Sequence, residues 1–303
     1  MDRFQLLGDA LNGRCPGLEL LWGEAMSRHT TFRIGGPARC FALPSTEEEL
    51  LACLEEAGKL DLPLVVVGNG SNLLVDDGGV EALVVSTLRL TGMSQAGPEI
   101  LEVQAGVTLA RLSTWAAGLG LTGLEFAHGI PGTLGGAVLM NAGAYGGEMA
   151  QVVTSVRTAG LDGLVHTWTG EELAFGYRRS RFSGGKEIIL SARLELRPGD
   201  TEKIREEMAR LDGQRREKQP LEYPSAGSMF KRPAGHFAAA LIDQCGLKGF
   251  SVGDAQVSEK HAGFVINRGQ ATCAQVMELV EQVRLRVREQ TGVDLEMEVR
   301  RLP

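Results

Sequence analysis

Hydrophobic positions in the N-terminal half of the chain predict short buried strands among amphipathic helices. Leucines recur at helical spacing after Ser45, which forms a capping-box pattern with Glu48 and is therefore predicted to begin a helix. The run LVVVG at 64–68 is short, rich in β-branched residues and closed by glycine, which predicts a buried strand that ends in a loop. By the same criteria, strands are predicted at 82–87 and 102–106, and a helix at 108–120.

The C-terminal half begins with strand patterns and ends with long helical ones. Its predicted elements are a hairpin from 152–158 to 164–169, a strand at 187–196 and a charged helix at 200–218. Thr272 is predicted to cap a further helix, which has one apolar face, and 293–302 alternates apolar and charged residues like a strand with all its charges on one side. Because helices and strands do not alternate strictly, the pattern favours an α+β fold over a doubly wound one.

The composition is that of an ordinary folded protein. The 303 residues are 43% hydrophobic and 23% charged, which predicts two domains, or three small ones. The net charge of −7 has the wrong sign for coating nucleic acid or an anionic membrane, so no nucleic-acid partner is expected and any anionic ligand must be held by local donors. The chain has neither a signal-peptide core nor a run of ~18 apolar residues, so no membrane insertion is expected.

Neither the cysteines nor the histidines are spaced like metal ligands. The five cysteines are odd in number and far apart, which argues against a disulfide framework and favours a reducing, cytoplasmic setting. The five histidines have no metal-ligand spacing, so no metal site is expected.

Two glycine-rich segments are the strongest candidates for ligand binding. The chain has 40 glycines, well above the usual ~7%. The segment GNGSN at 68–72 follows a predicted strand, where backbone N–H groups could bind a phosphate, although a hairpin turn explains it about equally well. The segment 129–148 has too many glycines for a stable helix. Together they favour an extended cofactor with a diphosphate over two structural turns. No P-loop motif is present, and the Rossmann pattern lacks its third glycine.

Two further segments carry side chains suited to anions. FGYRRSRF at 175–182 places three arginines among aromatic residues, a combination that can bind carboxylate or phosphate, with a solvated basic turn as the alternative. PSAGSMFKRP at 224–233 places Ser228 shortly before Lys231 and Arg232, so a hydroxyl could lie near an anion site. The segment lacks GxSxG and is therefore not a nucleophile elbow.

With these segments, the chain resembles the UDP-N-acetylenolpyruvoylglucosamine reductase family over nearly its whole length. The resemblance rests on seven ordered matches, each of which would be weak alone. They are HTTFRIGGPA (29–38), VVGNGSNLL (66–74), GIPGTLGGAVLMNAGAYG (129–146), FGYRRSRF, SAGSMFKRP (225–233), LIDQCGLKG with GDAQVSEKHAGFVIN (241–267) and LEMEVR (295–300).

The resemblance implies a noncovalent FAD in a fold like that of the p-cresol methylhydroxylase and vanillyl-alcohol oxidase flavoproteins. In that fold, 1–90 and 91–200 would be two small FAD-binding subdomains, and 201–303 a C-terminal α+β substrate domain. The implied cofactor-binding residues are Arg33, Gly35, Gly68, Asn69, Gly70, Ser71, Asn72, Gly129, Ile130, Pro131, Gly132, Gly135 and Gly136.

The reaction implied by the resemblance is NADPH-dependent reduction of UDP-N-acetylglucosamine enolpyruvate to UDP-N-acetylmuramate in peptidoglycan precursor synthesis. Hydride would pass from reduced FAD to the vinyl carbon remote from the carboxylate, so that charge develops as an enolate. Arg178 would bind that carboxylate, Glu298 would act as an acid or orient a partner, and Ser228 would protonate the adjacent carbon. The implied substrate-binding residues are Tyr177, Lys231, Arg232 and Lys260.

The chain departs from the family pattern at two places. Arg232 stands where the family often has asparagine, and no inserted loop with a substrate-covering tyrosine lies between Phe182 and Ser228, which indicates the shorter, type II form. Two alternatives remain open at this point. One is a flavin oxidase of the same fold that acts on another substrate, and the other is a nucleotide-binding protein without flavin turnover. The sequence does not predict an oligomeric state.

Overall fold

The computed structural model describes residues 2–303. Its helices are α1 Arg3–Arg14, α2 Glu47–Lys59, α3 Leu109–Gly118, α4 Leu134–Met140, α5 Thr201–Lys218, α6 Ala238–Gln244 and α7 Cys273–Thr291. Its strands are β1 Glu19–Ala25, β2 Pro37–Leu43, β3 Leu64–Val67, β4 Leu73–Val75, β5 Val80–Ser86, β6 Met93–Gly97, β7 Ile100–Gln104, β8 Leu121–Thr122, β9 Gly143–Ala144, β10 Gly147–Glu148, β11 Val153–Ala159, β12 Val165–Thr169, β13 Ile188–Glu195, β14 Arg197–Pro198, β15 Ser225–Ser228, β16 Ser251–Val252, β17 Ala255–Val257, β18 Phe264–Asn267 and β19 Arg300–Leu302. The mixture of helices and mostly antiparallel strands confirms an α+β fold.

Helix α2 forms where the leucine pattern predicted it, but its cap is one residue later. The side chain of Thr46, not Ser45, accepts the hydrogen bond from Glu49 N, at 3.2 Å. Ser45 instead donates its backbone N–H to Glu49 Oε2 at 2.7 Å. The predicted capping box at Ser45 and Glu48 is therefore wrong, because two neighbouring residues could each cap this helix and the backbone uses the second.

Helix α7 begins and ends at the predicted residues. Thr272 accepts a hydrogen bond from Gln275 N at 3.2 Å, and Gly292 ends the helix with a left-handed φ of 73°. The predicted apolar face is buried along its whole length, at Val276, Leu279, Val280, Val283 and Val287.

The chain forms two compact units. Unit 1 contains 1–23, 39–69 and 81–213, and unit 2 contains 24–38, 70–80 and 214–303. The division into 1–90, 91–200 and 201–303 therefore stays a prediction, and the units cut across its first range. The units cut across that range because β4 pairs in parallel with β19, which lies at the C-terminal end of the chain.

Unit 1 is built on two sheets with separate cores. One sheet has the strand order β1-β2-β5-β3, and the other has the order β12-β11-β13-β7-β6, with the predicted hairpin of β11 and β12 at its edge. Helices α1 and α2 contribute to the first core, which includes Leu7 and Leu50, while α3 and α4 contribute Leu112 and Leu134 to the second.

Unit 2 packs α6 and α7 against a four-stranded antiparallel sheet of order β15-β18-β17-β16. Phe32, Ile34 and Leu74 join the same core from early segments of the chain. These apolar contacts hold the 24–38 and 70–80 segments in a unit that otherwise comes from the C-terminal part of the sequence.

The predicted strand at 293–302 is mostly extended chain rather than strand. Only β19 forms a ladder, and Met297 makes an isolated antiparallel bridge with Phe230. Leu295 and Val299 are buried as the alternation predicted, but Glu298 is half-buried instead of projecting fully into solvent. The strand pattern predicted which side chains face inward and overestimated the length of regular pairing. Among the helices of residues 2–303, none is both long and apolar enough to cross a membrane.

Candidate functional site

The two glycine-rich segments meet within unit 1. Asn69 Nδ2 donates a hydrogen bond to the backbone oxygen of Pro131 at 2.7 Å. Gly68 lies so close to Thr133 that a Cβ at position 68 would stand 2.2 Å from Thr133 Oγ1. The start of the GNGSN loop after β3 therefore contacts the GIPGT loop before α4.

Thr133 provides a buried polar atom suited to such a ligand. Its hydroxyl oxygen is buried without a hydrogen-bond partner among the described residues, and it does not cap α4. A Cβ at the exposed Gly136 would have only this hydroxyl within 4 Å, at 3.9 Å, so the backbone is open there. An unpaired buried hydroxyl and exposed glycine backbone fit the phosphate and ribose oxygens of FAD. Gly135 differs, because a Cβ there would meet Ala105 at 2.9 Å, which gives it a packing role.

In unit 2, glycines of the predicted cofactor segments allow two backbone segments to approach closely. Gly70 has a φ of 60°, and a Cβ there would lie 2.1 Å from the backbone oxygen of His29. Gly35 has a φ of 138°, and a Cβ there would lie 2.7 Å from Val75 Cβ. Arg33 also has a left-handed φ, of 56°, an uncommon conformation for a residue with a side chain. The 29–36 loop is therefore fixed against 70–75 by backbone fit.

Asn72, predicted as a cofactor residue, holds the C-terminal segment of unit 2. Its Nδ2 donates to the backbone oxygen of Glu298 at 3.1 Å, and its backbone oxygen accepts from Arg300 N at 2.9 Å. No local sequence pattern predicts this contact, because the residues are more than 220 positions apart.

Ser228 lies at the end of β15 beside a bulge. Ser225 pairs with Ile266 and Ser228 with Phe264, so one more residue lies on β15 than on β18, and Gly227 has a φ of 78°. Such bulges turn side chains toward new directions and are common near active sites. Ser228 is exposed, although Met229 and Phe230, which follow it, are buried.

The Glu298 segment runs antiparallel to the segment after Ser228. Glu298 N donates to Met229 O at 2.9 Å, and Lys231 N donates to Glu296 O at 2.8 Å. Two predicted catalytic residues, Ser228 and Glu298, are thus brought to adjacent segments of one unit by backbone hydrogen bonds.

Phe264, the strand partner of Ser228, lies beside the imidazole of His261. His261 Nδ1 accepts a hydrogen bond from Gly263 N at 3.1 Å, and its ring contacts Phe264 edge-on at 5.0 Å. Burial lowers the pKa of His261 below its usual value, which favours the neutral imidazole.

The cationic residues predicted to bind substrate have partners in the structure. The Lys231 ammonium forms an ion pair with Glu296, and the Arg232 guanidinium lies 4.3 Å from the ring centre of the exposed Phe237. Lys260 Nζ donates to the backbone oxygen of Arg216 at 2.8 Å.

Arg178 belongs to unit 1, in a tight turn between two extended residues. Gly176 and Arg179 exchange backbone hydrogen bonds of 3.0 and 3.1 Å, which leaves Tyr177 and Arg178 at the tip. Arg178 has a left-handed φ of 54°, and its guanidinium lies over the Tyr177 ring and 3.5 Å from Gly143 O. Backbone strain in an arginine-bearing turn is typical of functional sites.

Two protein-family matches cover most of the chain. Residues 38–169 match the FAD binding domain family, and residues 219–302 match the C-terminal domain of UDP-N-acetylenolpyruvoylglucosamine reductase.

Curated relatives match over almost the whole length. A protein of Agathobacter rectalis is 48% identical over 297 residues, covering 94% of each chain, and one of Moorella thermoacetica is 47% identical over 299 residues, covering 99% of this chain and 98% of its own. Both are named UDP-N-acetylenolpyruvoylglucosamine reductase.

Solved structures agree with the fold. The UDP-N-acetylenolpyruvylglucosamine reductase of Thermus caldophilus has a TM-score of 0.80 and 40% identity, and the match covers 94% of this chain and 99% of that one. BBE-like 1 of Physcomitrella patens, at 15% identity and a TM-score of 0.50 over 65% of this chain and 45% of that one, shares the fold alone. The expected FAD-binding α+β fold is confirmed. Since relatives of such identity span nearly both whole chains, this protein belongs to the UDP-N-acetylenolpyruvoylglucosamine reductase family and carries its FAD-binding domain.

Proposed function

We propose that this protein is an FAD-dependent reductase that converts UDP-N-acetylglucosamine enolpyruvate to UDP-N-acetylmuramate with NADPH, in peptidoglycan precursor synthesis. The names of its full-length relatives and the FAD binding domain at 38–169 support the proposal. The observation that carries its catalytic part is Ser228, an exposed hydroxyl beside a bulge, whose neighbour Met229 accepts the backbone hydrogen bond of Glu298.

The cofactor role is proposed for backbone and small polar groups. Bound FAD supplies the hydride chemistry that links NADPH to the enolpyruvyl double bond. The Thr133 hydroxyl and the backbone of 68–72, 129–132 and 135–136 are proposed to bind it. The same role is proposed for Arg33 and Gly35.

Arg178 is proposed to bind the carboxylate of the enolpyruvyl group. As the double bond gains hydride, negative charge accumulates on this carboxylate, and a guanidinium held in a fixed turn stabilises that charge more than it stabilises the substrate. Tyr177, whose ring lies beneath the guanidinium at 5.3 Å, would limit its movement and contact the substrate.

Ser228 is proposed to donate the proton that completes the reaction. Its O–H bond breaks as a C–H bond forms at the carbon next to the carboxylate, and solvent returns a proton to the exposed serine oxygen. Glu298 would act on the same carboxylate, as an acid or by orienting a neighbour. Its half-buried position and two backbone contacts, to Met229 and Asn72, keep its place fixed.

Lys231, Arg232 and Lys260 are proposed to bind the diphosphate or the carboxylate of the substrate. A diphosphate would compete with Glu296 for the Lys231 ammonium, and because Glu296 is largely exposed, this exchange costs little.

A turnover assay tests the proposal. Purified FAD-loaded protein is mixed with NADPH and UDP-N-acetylglucosamine enolpyruvate, with UDP-N-acetylglucosamine as the control substrate. We expect NADPH oxidation only with the enolpyruvyl compound, and a product heavier by two hydrogens in mass spectrometry. Oxidation of NADPH at the same rate with either compound, or flavin that is reoxidised by oxygen alone, would support an oxidase instead.

A further inference from the structure

We propose that Asn141 is a positioning residue that holds Arg178 in its catalytic conformation, an inference that rests on the role given to Arg178 above. Asn141 ends α4 with a left-handed φ of 45°, and it is 1% exposed. A buried asparagine in this conformation has both its backbone and its side chain constrained, which points to a specific use of the carboxamide.

The Asn141 carboxamide joins two backbone segments of unit 1. Its Nδ2 donates to Gly176 O at 3.2 Å, and its Oδ1 accepts from Ala150 N at 2.9 Å. Gly176 is the residue at the base of the turn that presents Tyr177 and Arg178, since it exchanges backbone hydrogen bonds with Arg179.

The second segment also contacts Arg178. Ala150 is the second residue after the hairpin of β9 and β10, and Gly143 in β9 receives the 3.5 Å contact from Arg178 Nη1. Asn141 therefore fixes the base of the arginine turn. It also fixes the segment that follows the hairpin contacted by the Arg178 guanidinium. Ser180 anchors the far side of the turn, because its Oγ donates to Leu139 O at 2.8 Å.

Only a carboxamide can both donate to Gly176 O and accept from Ala150 N at this position. Aspartate keeps the acceptor for Ala150 N and loses the donor for Gly176 O, while glycine tolerates the positive φ and loses both. Without the bond to Gly176, the base of the Arg178 turn loses one of its anchors and can shift, and a shift of about 1 Å can cost ~100-fold in rate.

The experiment compares Asn141→Gly and Asn141→Asp with wild type in the two half-reactions, measured by anaerobic stopped-flow. We expect flavin reduction by NADPH to stay within about twofold of wild type. Reoxidation by UDP-N-acetylglucosamine enolpyruvate should slow by about 10- to 100-fold. In an Arg178→Ala background, Asn141→Gly should add less than about threefold, because it acts through the arginine. Ser113→Ala, which removes another buried polar group of unit 1 bonded to Leu109 O and Leu124 O, is the control and should leave both half-reactions unchanged.

Hydrogen exchange gives a readout that does not depend on turnover. In Asn141→Gly, the amides of Gly176 and Arg179 should exchange faster than in wild type and in Ser113→Ala. The proposal is overturned if these amides are unaffected, if both half-reactions slow equally, or if the loss in the Arg178→Ala background equals the loss in wild type. Should wild type itself not be reoxidised by the substrate, the proposed function fails, while the exchange comparison still decides whether Asn141 holds the turn. If Asn141→Gly does not fold, Asn141→Asp takes its place in both measurements.

Discussion

Ser228 carries the proposed proton transfer, and its assignment to that role depends on its surroundings. Its motif singled it out by resemblance, but its exposure and its place beside the Glu298 segment depend on a bulge and on hydrogen bonds between distant residues. Lys231 shows the limit of such assignment, since nothing in the sequence indicates that its ammonium pairs with Glu296, 65 positions away. Asn141 was not singled out at all, because a left-handed conformation at a non-glycine residue is imposed by its tertiary contacts.

Replacement of Ser228 by alanine should separate the two half-reactions. The variant lacks the proposed proton donor, and loss of a general acid typically costs ~100- to 10,000-fold, so reoxidation of the flavin by the enolpyruvyl substrate should slow by that amount. Flavin reduction by NADPH needs no such proton and should continue at nearly the wild-type rate. Stopped-flow absorbance measures both steps, and an equal loss in the two would rule out the assigned role.

At the scale of elements, the glycines of the predicted cofactor segments have two roles that the sequence could not distinguish. Gly70 and Gly35 permit close backbone packing, whereas Gly136 leaves backbone open beside the Thr133 hydroxyl. Glycine spacing alone predicts flexible, accessible loops in both cases. The helices were predicted more closely, because the apolar face and the cap of α7 are local properties of its own residues.

Gly68→Ala tests the contact between the two glycine loops. The added Cβ would stand 2.2 Å from Thr133 Oγ1, so the hydroxyl or the loop must move. We expect weaker retention of FAD and an unfolding free energy lower by about 1–3 kcal/mol. Flavin absorbance after gel filtration measures the retention of FAD, and denaturant unfolding measures the change in unfolding free energy. Gly78→Ala is the matched control, since its Cβ would meet nothing within 4 Å, and full FAD retention in both variants would contradict the prediction.

The junction of β4, β19 and α7 should give unit 2 a pH-dependent stability. The hydrogen bonds from Arg301 hold the pKa of Asp76 below its usual value, and Cys273 Sγ adds a further contact at 3.1 Å. A carboxyl with a depressed pKa stabilises the fold above its unfolded pKa, and this stabilisation disappears as the pH falls through the lower folded value.

Asp76→Asn should therefore melt at a lower temperature than wild type at pH 7, and the difference should shrink as the pH falls below about 4. Melting curves across that range measure the effect. Asp9→Asn, at an exposed position of α1, is the control and should follow wild type. A difference between Asp76→Asn and wild type that stays constant with pH would show that the ion pair is not its source.

For the whole molecule, the resemblance predicted the family and the FAD-binding fold, and both were confirmed. The arrangement of the chain into units was harder to predict, because 24–38 and 70–80 join the unit formed mainly by 214–303 through apolar packing and the β4–β19 pairing. Such assignments depend on contacts between residues far apart in the sequence, which local patterns do not encode. The cytoplasmic setting and the type II assignment stay predictions.

The central claim is that one protein uses NADPH to reduce its flavin and the enolpyruvyl sugar nucleotide to reoxidise it. The most direct test is to follow the visible absorbance of the FAD-loaded protein without oxygen, adding NADPH first and UDP-N-acetylglucosamine enolpyruvate second. Our account predicts that the flavin band bleaches with NADPH and returns in full only when the enolpyruvyl compound is added. A band that bleaches but does not return without oxygen, or one that NADPH fails to bleach, would contradict it.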